Sequence, residues 1–157
     1  GEDLAANMGL LSCAKSVTHL PEPLYFYVQH SGSIMSSSQN NIRKIMRNRD
    51  IITSMDIVID YFKKAGKYNE YFDELEYLVL CNVLFRATLR VNECDPGNKL
   101  QAELVDYTLK KYPHFERNKY YKQLLSKKEK TIICFLKHKL FHTLHFVLRL
   151  NRKLTGR

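Results

Sequence analysis

The chain has 157 residues, 45% hydrophobic and 26% charged, the make-up of one globular domain with a sizeable core and not that of a disordered or fibrous chain. No stretch approaches the roughly 20 apolar residues of a membrane-spanning helix, and the start lacks the basic-then-apolar pattern of a secretion signal, so a cytoplasmic protein is expected. The net charge of +9 is uneven: residues 127–157 hold nine lysines and arginines against Glu129 alone, and the near balance elsewhere argues against a nucleic-acid partner.

At the start, Glu2 and Asp3 precede an apolar periodicity through Leu4, Met8 and Leu11 that predicts a helix over 3–15. Two acids there suit a helix N-terminus, where unpaired N–H groups carry partial positive charge. Next, β-forming residues flank Pro21-Glu22-Pro23, which predicts two short strands, Val17–Leu20 and Leu24–Gln29. On the second of them Tyr25 and Tyr27 would share a face, and core packing is expected for both. The Ser- and Asn-rich run after Ile34 reads as a loop and a helix cap.

Helical spacing then carries Ile42, Ile45, Met46, Ile52, Met55, Ile59 and Phe62 up to a stop at Gly66. A second long helix is predicted from Glu70 to Val91, its acids early and Arg86 and Arg90 late, as the helix dipole favours. Asp95-Pro96-Gly97 makes a turn, a third helix covers Lys99–Lys111, and a short tyrosine-rich helix runs to Leu125. The remainder, 127–157, reads as a basic amphipathic helix. Ile132, Ile133, Leu136, Leu140, Leu144 and Val147 form one arc, opposite His138, His142, His145 and the cations. Three histidines on one face could bind a metal, but they share the polar arc with the lysines and arginines and the basic amphipathic helix is the stronger reading, so no metal site is expected. The tail would either dock its apolar arc on the domain or lie on an anionic membrane. Cys13, Cys81, Cys94 and Cys134 are far apart and form no C-x-x-C pair, so idle thiols are expected.

The opening G-E-D-L-A-A-N-M-G-L-L, the strand L-Y-F-Y-V and the loop H-S-G-S-I-M occur in an order that resembles the latter part of bacterial family 2 glycosyltransferases. These are inverting GT-A enzymes that build surface polysaccharides, and the likeness covers about the first 38 residues. It implies a mainly α chain with a short two-stranded β element, the C-terminal portion of a GT-A α/β enzyme. Residues 1–38 would end the catalytic domain, 39–126 would be a helical extension, and 127–157 the basic tail.

By the same resemblance Asp3 would be the catalytic base and Glu2 would bind the acceptor. His30, Ser31 and Ser33 would form the lid over the donor diphosphate. The implied partners are a nucleotide-sugar donor and a glycan or lipid-linked acceptor, with an anionic membrane against 127–157 and the protein peripheral on the inner face of the cell membrane. A divalent cation, Mg or Mn, would belong to a donor-binding half that this chain lacks, so the chain alone would be inactive and hold no cofactor. The alternative is a non-catalytic helical module that binds a protein partner or a membrane surface, with Glu2 and Asp3 only capping a helix.

Overall fold

The computed structural model describes residues 2–26, 28 and 41–155. Their elements are α1 (Glu2–Cys13), α2 (Asn41–Lys64), α3 (Phe72–Val79), a π-helical segment (Leu80–Ala87), α4 (Thr88–Cys94), α5 (Lys99–Lys111), a 3₁₀ turn (Phe115–Arg117), α6 (Lys119–Leu124), α7 (Lys127–Lys137) and α8 (Phe141–Thr155). The chain is mainly α, as its periodicity predicts. Strands do not appear among the described residues: 17–20 and 24–26 run as irregular, exposed backbone. A strand exists through its ladder of hydrogen bonds, Pro21 and Pro23 remove two donors, and no described backbone pairs with this segment. Tyr25 is 80% exposed, not packed in a core. Tyr27, and the loop and cap expected over 29–40, lie outside the described residues.

α2 supplies the first wall of the core, burying Met55, Val58, Ile59 and Phe62 at the helical spacing the sequence shows. It stops where glycine permits. Gly66 has φ +70°, its N–H donates to the Lys63 carbonyl at 3.0 Å, and the Lys67 N–H donates to the Phe62 carbonyl at 2.9 Å, the double bond of a Schellman cap.

The expected helix over 70–91 is present from Phe72 to Cys94, with its middle eight residues π-helical. This rod is the centre of the fold. Leu80, Val83, Leu84, Ala87 and Val91 are buried on it, and α2, α5 and α7 pack around the π segment. Widened turns leave carbonyls to be satisfied differently, and the Thr88 hydroxyl donates to the Val83 carbonyl, five residues back, at 3.0 Å.

At the Asp95-Pro96-Gly97 corner the backbone and buried amides tie three helices together. Gly97 has φ +89°, and a Cβ there would lie 2.7 Å from His142 Nε2 on α8. Its N–H donates to Gln101 Oε1, while Gln101 Nε2 donates to Asn92 Oδ1 at 2.9 Å. Asn98 and Asn118 cap α5 and α6 with their side-chain oxygens, and Ser126 with Glu129 forms a capping box on α7.

The tail is two helices, not the single one its pattern predicts. α7 ends at His138, Lys139 takes φ +55°, and the Lys139 and Leu140 N–H groups donate to the Leu136 and Phe135 carbonyls at 2.9 and 3.0 Å. This is again a Schellman cap, closed by a lysine where glycine is usual. The break sets Phe141 onward on a new axis. Ile132, Ile133, Leu136, Phe141 and Leu144 join the same core as Met55 and Val83, whereas Leu140 and Val147 are 48% and 43% exposed. Among the described residues, no helix is long and apolar enough to cross a membrane.

Candidate functional site

α1 presents Asp3 exposed in its first turn; nothing is described of the Glu2 side chain. The helix lies along α2 through Leu4, Ala5 and Met8, and Gly9 allows the Tyr61 ring to come within 2.9 Å of where a Cβ would stand. Its other end is closed by Lys67, whose ammonium donates to the Ser12 carbonyl at 2.8 Å and so meets the negative end of the helix dipole. Packing on α2 fixes the α1 backbone that carries Asp3. His30, Ser31 and Ser33 lie outside the described residues.

A groove of about 440 Å³ opens at the far end of α1, roughly 15 Å along the axis from Asp3. Met8, Leu11, Phe62, Leu75 and Leu78 make it apolar, and Lys15, Lys67, Tyr71 and Glu74 add polar groups. Glu74 is fixed from outside the groove: the Tyr120 hydroxyl donates to its Oε1, and the Lys119 ammonium lies 3.2 Å away. The Tyr120 hydrogen bond, with help from Lys119, holds the Glu74 carboxyl below the usual range. Nothing in the sequence marks this groove, because its walls are separated by some fifty residues and Glu74 reads there as an ordinary first-turn acid.

A second polar cluster surrounds Glu76, which is 6% exposed. Asn118 Nδ2 donates to Glu76 Oε2 and to the Asp73 carbonyl, both at 2.8 Å. Burial pushes the Glu76 carboxyl up, and the Asn118 hydrogen bond only partly offsets that. Glu76 and Asn118 line a pocket of about 290 Å³ with Tyr112, His114 and Arg117.

The three tail histidines do not converge. His138 terminates α7, His142 lies against Gly97, and His145 donates from Nδ1 to the Asn92 carbonyl at 2.9 Å. Among the described residues, no three histidine, cysteine or acidic side chains are placed to share a metal ion. All four cysteines are free, Cys13 and Cys134 exposed and Cys81 and Cys94 half-buried. Burial raises the Cys81 thiol, which disfavours its thiolate form.

No family model, curated protein or solved structure matches this chain.

Proposed function

We propose that this chain is the C-terminal part of an inverting GT-A glycosyltransferase that passes a sugar from a nucleotide-sugar to a glycan or lipid-linked acceptor in surface polysaccharide synthesis. Asp3 is the base in this reading. It takes the proton from an acceptor hydroxyl as that oxygen forms its bond to the anomeric carbon, and the bond to the nucleoside diphosphate breaks with the electron pair leaving on phosphate. Glu2 binds the acceptor, and His30, Ser31 and Ser33 close over the diphosphate.

The order of the motifs in the first 38 residues supports this reading, and one structural observation carries it further. Val17, Leu20, Leu24, Tyr25, Phe26 and Val28 are between 62% and 84% exposed. An apolar run of that size left in water marks a surface made to be covered. In this proposal it is covered by the donor-binding part of the enzyme.

The test is release of nucleoside diphosphate from nucleotide-sugars. The enzyme that carries this chain is expected to release it in an acceptor-dependent way, while these 157 residues alone release none, because a base without a bound donor has nothing to act on. Turnover by the chain alone would refute the proposal.

A further inference from the structure

α8 has two apolar faces, and only one of them is used. The inner face docks Phe141, Leu144 and Leu148 against the core. On the outer face Phe146 is 63% exposed, Val147 43% and Leu150 44%. At 100° per residue Phe146 and Leu150 lie about 160° and 120° from Leu144, and Val147 flanks them at the edge of the docked face, about 60° from Leu144. Beside them stand Arg149 and Lys153, which with Phe146 and Leu150 line a surface cleft of about 270 Å³.

The charges on this helix differ in what they face. Arg152 is paired with Glu93, and Lys139, in the turn before α8, with Asp106. Among the described residues neither Arg149 nor Lys153 meets a carboxylate, and no acid follows Glu129 in the sequence.

We infer that the outer face of α8 lies on an anionic lipid surface, with Phe146, Val147 and Leu150 entering between the headgroups and Arg149 and Lys153 on the phosphates. An apolar stripe with Arg149 and Lys153 along one edge, on a helix that carries no acid, complements a surface that is uniformly negative outside and apolar within. A second copy of the chain complements it badly, since a two-fold interface sets like patches together and would bring the same cations face to face. Docking of the inner face helps. The helix is already formed and held, so binding does not have to order it first.

The inference does not rest on sugar transfer, and its test does not measure it. The 157-residue chain is sedimented with vesicles of phosphatidylcholine, with or without phosphatidylglycerol, at low and high salt. Binding is expected only with phosphatidylglycerol and should weaken with salt, because the field of exposed charges decays over roughly 8 Å at physiological ionic strength. Phe146→Ser with Leu150→Ser should reduce partitioning about tenfold or more, and Arg149→Gln with Lys153→Gln roughly thirtyfold, at about a fivefold loss per cation. Thermal unfolding should be unchanged in both variants, since all four side chains point outward, and should either variant unfold the other decides.

Three results would overturn the inference: no binding by the intact chain, equal binding to neutral vesicles, or full binding by the Phe146→Ser, Leu150→Ser variant. The last would assign the attraction to net charge or to the exposed Val17, Leu20, Leu24, Tyr25, Phe26 and Val28. A lipid-free dimer abolished by the same variant would give the face to a second copy instead.

Discussion

Lys139 and Glu76 are two residues at which the fold works against a local preference, and each gives a measurable consequence. Lys139 closes α7 with φ +55°, a conformation that costs a non-glycine residue about 1–2 kcal/mol. Glycine would relieve that cost, at the expense of unfolded-state entropy and of the Lys139–Asp106 ion pair, whose side chains are 43% and 61% exposed and which is worth about 0.5 kcal/mol at most. Lys139→Gly is therefore expected to raise stability by up to about 1 kcal/mol in chemical denaturation. A lower midpoint would contradict the cap as described.

Glu76 is buried with its carboxyl raised by desolvation. The folded state then holds its proton more tightly than the unfolded state, so this residue's contribution to stability falls as pH rises from the unfolded value, about 4.3, through the raised folded one. Glu76→Gln keeps an acceptor for Asn118 without the charge. The variant should be more stable than the parent at neutral pH, and its advantage should shrink on acidification. Denaturation midpoints across that range check this, and an advantage that does not change with pH would place the cost elsewhere than in ionisation. Glu74, Glu116 and Glu129, held low chiefly by Tyr120, Lys137 and Ser126, act oppositely and lose their contribution as pH falls.

Among elements, most helices are legible because their buried residues recur at helical spacing and their ends carry recognisable stops. α5 runs over Lys99–Lys111 as read, α2 ends before Gly66, and the turn after Cys94 falls at Asp95-Pro96-Gly97. The tail is misread for a related reason. Its stop is made at Lys139 by backbone geometry alone, with no glycine or proline to announce it, so the hydrophobic period runs on through the break. The π segment is illegible too, since Leu80, Val83, Leu84 and Ala87 fit an ordinary apolar stripe. The two faces of α8 can be told apart by experiment. Leu144→Ala removes a side chain only 1% exposed and should cost about 2–5 kcal/mol, whereas Phe146→Ser should stay within about 0.5 kcal/mol. Equal losses from the two would mean that α8 is docked on the other side.

For the molecule as a whole, one core runs from Ala5 on α1 to Leu144 on α8, with the π segment at its centre. Function is less legible than the fold. Asp3 stands out in the sequence because an acidic pair precedes an apolar helix in a particular order of motifs, and the groove beside Lys67 and Glu74 does not, because distant residues form it. The proposed lid role of His30, Ser31 and Ser33 rests on the sequence motif alone. What unites these observations is an exposed acid on a rigidly docked helix, followed by an apolar run that asks to be covered, and the proposed role of Asp3 is the claim on which the account turns. Asp3→Asn in the enzyme that carries this chain tests it directly, with turnover and donor affinity measured side by side. Asp3 is exposed, so folding should be unaffected. Turnover should fall roughly 10²–10⁴-fold, the contribution of a positioned base, with nucleotide-sugar affinity unchanged. Unchanged turnover would reduce Asp3 to the first-turn acid of a helix.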